Sequence, residues 1–166
     1  MTADTIIRPA TKDDCALIVQ FIKELAIYEK LEHEAKATPN DIETALFGSD
    51  PKAFCAIAVV GDKPAGFALC FYNFSTFLGK PGIYLEDLFV RPEFRGRGIG
   101  KQFFQYLAQR ALDENCGRIE WWVLDWNEPS IEFYKALGAK AMDEWTVYRL
   151  EGHAIADVAQ IKKKAA

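Results

Sequence analysis

The chain has 166 residues, half of them hydrophobic and 27% charged, enough for one core without disulfide or metal staples and far from the composition of a disordered chain. Its net charge of -4 excludes nucleic acid as the main partner and suits a cationic one. No run approaches the roughly 18 apolar residues of a membrane span, and Met1 to Arg8 lack the basic and apolar regions of a secretory leader, so no membrane partner and a cytoplasmic location are expected.

In chain order, Ile6 to Ala10 reads as a short opening strand stopped by Pro9. Thr11 with Asp13 and Asp14 opens a long helix, in which Leu17, Ile18, Phe21, Ile22, Leu25 and Tyr28 form one apolar face running to about Leu31. Thr38-Pro39-Asn40-Asp41 caps a second helix ending near Gly48. Phe54 to Val60 and Ala65 to Phe74 are strands of a hairpin turned by Gly61-Asp62-Lys63-Pro64. Ile83 to Val90 is a third strand. A glycine-rich turn leads from it into a helix from about Ile99 to Asn115, with Phe103, Phe104, Leu107, Ala111 and Leu112 on its apolar side.

Ile119 to Leu124 reads as a strand, Pro129 to Leu137 as a helix stopped by Gly138, and Thr146 to Leu150 as a closing strand. Without repeats or linkers, this order gives a single domain over 1–166, a mixed sheet flanked by helices. Cys15, Cys55, Cys70 and Cys116 are widely spaced among apolar neighbours and are read as buried free thiols. His33 and His153 are isolated, so no metal site is expected. Trp121 and Trp122 are read as packing residues, and Lys162 to Lys164 as a short basic tail.

The sharpest feature is Arg95-Gly96-Arg97-Gly98-Ile99-Gly100-Lys101, set between a strand and a helix. Glycine lets the backbone approach a ligand, and the free N–H groups of the helix's first turn attract an anion. The dinucleotide spacing G-x-G-x-x-G needs glycine at Lys101, and the P-loop needs glycine at Arg95 and Ser or Thr at Gln102, so both are excluded. Taken alone, the cluster is equally a solvated turn flanked by arginines.

Its neighbours carry a family resemblance. Arg95-x-x-Gly98-x-Gly100 resembles the pyrophosphate signature of the GNAT acetyltransferases, and Leu85-Glu86-Asp87-Leu88-Phe89-Val90 precedes it at that family's spacing. Ile7-Arg8-Pro9-Ala10, Lys23-Glu24-Leu25-Ala26 with Tyr28-Glu29, and Trp126-Asn127-Glu128-Pro129-Ser130 with Phe133-Tyr134 resemble the diamine acetyltransferase branch, which includes spermidine/spermine and thialysine acetyltransferases. The resemblance covers nearly the whole chain. It implies the GNAT fold of class α/β, with a central, mostly antiparallel mixed sheet flanked by helices. It also implies acetyl-CoA as cofactor, a small-molecule amine as acceptor, direct attack in a ternary complex, and a homodimer.

On the resemblance, the backbone of Leu88, Phe89 and Val90 bonds the pantetheine like an added strand, and Arg95, Gly96, Arg97, Gly98, Ile99, Gly100 and Lys101 hold the pyrophosphate. Asn127, Glu128, Pro129 and Ser130 are expected along the cofactor arm, with Tyr134 as the acid for the departing thiolate. Asn127, Ser130 and Tyr134 share one helix face by their spacing. Tyr28, Glu29 and Glu86 are expected at the amine.

An amine of pKa near 10.4 is neutral in only about one molecule in a thousand at pH 7, so a base is useful. Strand alternation places Glu86 beside Tyr84, Leu88 and Val90 in an apolar row, where burial would raise its pKa and make it a better proton acceptor, and the resemblance implies that it is the base. Asp87 then points to the opposite face and is structural; the alternative is that either carboxylate pairs with an arginine. Tyr134 has its own alternative, a packed tyrosine with a bonded hydroxyl, and Asn127 can be a plain helix cap. Ser75-Thr76-Phe77 stands where polyamine-acetylating members carry Asp-Pro-Trp, which leaves short diamines and lysine analogues such as thialysine open. A protein lysine or N-terminal acetyltransferase and a CoA-binding sensor are the competing functions.

Overall fold

The computed structural model describes residues 4–160, which divide into two compact units, one ending at Trp122 and the other beginning at Val123. The basic tail expected at Lys162 to Lys164 lies outside the described residues. The first unit opens with β1 (Thr5–Pro9), α1 (Cys15–Glu29), α2 (Pro39–Phe47) and β2 (Phe54–Val60). β3 (Lys63–Ser75), β4 (Lys80–Val90), α3 (Ile99–Asp113) and β5 (Ile119–Trp121) complete it.

The sheet runs β1-β2-β3-β4-β5, antiparallel through β4, with β5 parallel to β4 because the α3 crossover returns the chain in the same direction. This is the expected mixed, mostly antiparallel sheet. One face carries α1 and α2: Ile18 and Phe21 of α1 and Ile42 and Leu46 of α2 pack with Cys55, Ile57, Phe67 and Phe89 of the strands. Phe21 lies flat on Phe67, centroids 5.4 Å apart. Phe103, Phe104, Leu107 and Ala111 of α3 are buried, and Phe104 meets Trp121 edge-on at 4.8 Å. Trp121 shares that face with Leu85 and Cys70 through its cross-strand register. Leu112, expected on the apolar side of α3, is instead exposed in the last turn of the helix, which ends at Asp113. Cys15, Cys55 and Cys70 are buried free thiols; Cys116 is half-buried.

β5 stops at Trp121, three residues short of the expected Leu124, and Trp122 is exposed with its edge against Tyr84. The reason lies in its partner: the register with β4 runs from Ile83↔Ile119 to Leu85↔Trp121, and β4 carries a bulge immediately beyond. α1 also ends earlier than expected, at Glu29, where Lys30 takes the left-handed conformation at φ 62°.

In the second unit, α4 spans Glu128–Ala136 and Gly138, at φ 86°, follows it as expected. The closing strand expected at Thr146 to Leu150 does not form: the segment is irregular, and Val147 and Tyr148 are exposed. A β-type composition only permits a strand; pairing and burial on a sheet make one. The short α5 (His153–Ala159) was not anticipated from the sequence.

The junction of β1 with α1 is electrostatic. Arg8 donates two hydrogen bonds to Asp14, at 2.7 and 2.8 Å, and the backbone N–H of Thr11 gives the same carboxylate a third at 2.8 Å. The Arg8 bonds foremost hold the Asp14 carboxyl down at about 2. A lowered carboxylate stabilises the fold above its unfolded value near 4, and that contribution is lost as pH falls towards 2. Asp14→Asn should cost about 2 kcal/mol at pH 7 and flatten the decline in stability between pH 4 and 2. Urea unfolding across that range measures both.

Candidate active site

The bulge in β4 shapes the site. Leu69 pairs with Asp87 and Cys70 with Leu85, so Glu86 is an extra residue without an opposite number on β3. Beyond it, Leu88, Phe89 and Val90 pair with Ala68, Phe67 and Gly66 on one side. On the other side β5 reaches only as far as Leu85, so among the described residues no strand runs beside 86–90 there. Unpaired strand backbone is a template for an extended ligand.

The bulge also corrects the expected alternation. Tyr84 stacks on Phe71 at 4.8 Å and Phe89 packs with Phe67, so Tyr84, Asp87 and Phe89 lie with β3 residues of one face, and Leu85 and Leu88 with those of the other. Glu86 is exposed. The burial expected of Glu86 falls on Asp87, which is half-buried on the α1 side and whose pKa is pushed up to about 7, by burial first and then by Glu86 and Glu29. Burial also raises Glu29, at the end of α1. The arginine ion pairs of the described residues go to Asp14, Glu24, Glu114, Glu120 and Glu151, so neither Glu86 nor Asp87 is taken up in one. No set of described residues is arranged to hold a metal ion. Among the described residues no ion pair, with arginine or lysine, takes up Asp87, Glu86 or Glu29, so the three carboxylates make a local negative site.

β4 runs directly into the glycine turn. Gly98 is the residue before α3 and adopts φ 75°, a left-handed conformation that costs other residues about 1–2 kcal/mol. Gly96 has the same φ, and a Cβ at either glycine would meet nothing within 4 Å, so space lies open over the turn. The amides of Ile99, Gly100 and Lys101 in the first turn of α3 have no carbonyl one turn back to bond, and with the helix dipole they favour an anion. Arg97 and Lys101 are exposed at the same end. The Arg95 side chain turns the other way, its Nε donating to the Val90 carbonyl at 2.8 Å. It also lies over the rings of Tyr28 at 4.9 Å and Phe89 at 5.7 Å.

In the second unit, Ser130 and Tyr134 stand one turn apart on α4, both partly buried. Asn127 is buried just ahead of them. Its carbonyl accepts from Ser130 and Ile131, at 3.1 and 3.0 Å, so the backbone rather than its amide makes the cap. Glu128 and Pro129 form the exposed first turn. Sequence reasoning assigned no role to Arg91 and set Asp87 aside as structural. The tandem carboxylates of Leu85-Glu86-Asp87 were the available signal for Asp87, but a bulge leaves no mark in an alternation pattern.

An unpaired strand edge leading into an anion-binding turn, with helices on both sheet faces, is an architecture able to receive an extended ligand that carries an anion at one end. A Vibrio cholerae integron cassette protein of known structure superposes with a TM-score of 0.79 at 31% identity, over 95% of this chain and 98% of its own. The model of the acetyltransferase (GNAT) family matches residues 19–139, and the chain belongs to that family. It is 38% identical to the thialysine N-epsilon-acetyltransferase of Bos taurus, over 95% of this chain and 98% of that protein. It is 30% identical to an L-ornithine N5-acetyltransferase of Arabidopsis thaliana, over 90% and 85%. The chain is thus an N-acetyltransferase, and the GNAT family uses acetyl-CoA.

Two outcomes follow from this geometry. A raised carboxyl favours the fold while protonated, and that contribution is lost as pH rises from about 4 through 7. Asp87→Asn should therefore match the unmodified protein in Tm near pH 3.5, below the unfolded carboxyl's value, and exceed it increasingly up to pH 8, as thermal denaturation across that range would register. Gly98→Ala should lower stability by about 1–2 kcal/mol through backbone strain alone, because the space around it is open. Its stability loss is read from denaturant unfolding, and calorimetry should show weaker CoA binding as well.

Proposed function

We propose that this enzyme acetylates the terminal amine of a small cationic acceptor, a lysine analogue such as thialysine or a short diamine, by direct attack in a ternary complex. The observation that carries this reading is the placement of three unpaired carboxylates, Asp87, Glu86 and Glu29, at the point where the open edge of β4 begins. Such a site attracts an ammonium group, and thialysine and ornithine, named for two relatives, both end in one. The Ser75-Thr76-Phe77 hairpin loop adds no carboxylate for the far end of a long polyamine.

Acetyl-CoA supplies the activated acyl group as a thioester. The residues present fit it: the backbone of Leu88, Phe89 and Val90 offers hydrogen bonds to a pantetheine arm, and the amides from Gly96 through Lys101 receive the pyrophosphate. Asn127, Glu128, Pro129 and Ser130 serve the cofactor arm. At the amine, Tyr28, Glu29 and Asp87 hold the cation, and Glu86 collects its proton, through water where it does not reach directly. A deprotonated Asp87 binds a cation better, so amine affinity should improve as pH rises through about 7. Tyr134 gives a proton or a hydrogen bond to the departing thiolate; transfer from a phenol near 10 to a thiol near 8.5 is uphill by about 2 kcal/mol, a small barrier. In this reading the chain is a single acetyltransferase domain over 1–166 that acts as a cytoplasmic homodimer.

Thiol release from acetyl-CoA with a panel of thialysine, ornithine, short diamines, spermidine and lysine peptides tests the acceptor class: small amines should turn over, and turnover of peptides alone would replace this reading with a protein acetyltransferase. Tyr134→Phe should lower kcat by about 10²- to 10⁴-fold with little change in CoA affinity. Glu86→Gln should lose activity near neutrality and regain part of it at higher pH, where more free amine is present. A Tyr134→Phe enzyme with near-normal kcat and weakened CoA binding would make Tyr134 a cofactor contact instead.

A further inference from the structure

Glu24 and Tyr28 stand one turn apart on α1, and two arginines from the segment joining β4 to α3 reach them. Arg91 donates Nε and Nη2 to the two carboxylate oxygens of Glu24, each at 2.9 Å, and Nη1 to the Pro64 carbonyl at 2.9 Å. Its guanidinium also lies 4.7 Å from the centre of the Phe21 ring. This fork is only 18% exposed on the arginine side and ties the middle of α1 to the end of β4. Its hydrogen bonds lower the Glu24 pKa and raise that of Arg91, as expected of a pair that remains charged.

Arg95 forms the second rung. It opens the glycine turn, yet its Nε is spent on the Val90 carbonyl and its guanidinium carbon lies over the rings of Tyr28 and Phe89. A guanidinium over an aromatic ring is attractive and restricts the ring, and the planar fork holds its own orientation while doing so. The anion site at the turn is built from backbone amides, which need no help from this side chain.

We propose that Arg95 is a positioning residue for the amine acceptor: it fixes the Tyr28 ring beside Glu29, and the Arg91–Glu24 fork is the base that keeps α1 in register with the turn. The proposal rests on the reading that Tyr28 contacts the amine. It makes the first residue of the phosphate motif answer to the acceptor, so that substitutions there are felt in amine binding.

The test compares Arg95→Gln and Arg95→Lys with the unmodified enzyme, measuring CoA affinity by calorimetry and amine KM and kcat by thiol release with thialysine. Arg95→Gln should raise amine KM about three- to tenfold while the Kd for CoA, the saturating kcat and the Tm hold within about twofold or a few degrees. Arg95→Lys, which retains a cation for the ring, should recover part of the loss. Combined with Tyr28→Leu, Arg95→Gln should add little further, because both remove one interaction. A weakened Kd for CoA with unchanged amine KM would assign Arg95 to the phosphates and overturn the proposal, as would additive effects of the two substitutions. An unmodified protein that binds CoA but neither binds nor acetylates thialysine or any small amine overturns the functional reading, and this proposal with it.

Discussion

β4 has neighbours on both sides for its first half and on one side for its second, and the change falls at Glu86. Up to Leu85 the strand pairs with β5; one residue later a bulge breaks the register and β5 ends. A bulge bends a strand and increases its twist, so a parallel partner cannot follow it without losing its hydrogen bonds. The unpaired backbone that results is the part of the sheet able to accept an extended pantetheine arm. The same irregularity exposes Glu86 and leaves Asp87 half-buried, so the open edge and the acidic site have a single structural origin.

The rest of the first unit supports that one strand. Phe67 and Phe89 on the α1 face, and Cys70 and Leu85 on the α3 face, bury β4 from both sides and fix which residues of its second half are covered. The Arg91–Glu24 fork and the Arg95–Tyr28 contact then tie α1 to the segment where β4 becomes the turn. Left-handed glycines and unbonded amides at the start of α3 lie at the end of the same path. Acceptor-side and cofactor-side features are thus joined through about ten residues of backbone, which explains why a family of this architecture can vary its acceptor while retaining its turn.

Electrostatically, the acidic cluster at the start of the open edge carries charge that no ion pair among the described residues offsets. Elsewhere in the chain, carboxylates near arginines are paired: Asp14 with Arg8, Glu24 with Arg91, Glu120 with Arg118. Asp87 and its neighbours are the contrast, and burial without a cation is the reason Asp87 titrates near neutrality. A cation brought beside Asp87 would relieve that cost, which is the electrostatic basis of the acceptor class proposed above.

The sequence alone determined the features set by short-range chemistry. β2 begins and ends where its continuous apolar run and the Gly61-Asp62-Lys63-Pro64 turn place it, α2 starts at the Thr38-Pro39 cap, and α3 opens at the glycine motif, because each is governed by residues within a turn of the boundary. The family, too, was legible, since its motifs are local and ordered along the chain. Tertiary structure alone decided what depends on a distant partner. Alternation assumes an unbroken strand, so the inward position was assigned to Glu86 where the bulge gives it to Asp87; the Thr146 to Leu150 segment has strand composition but no pairing; and Arg91 and Arg95 find their partners on α1, more than sixty residues earlier, through a packing of helix on sheet that no spacing rule in the sequence encodes.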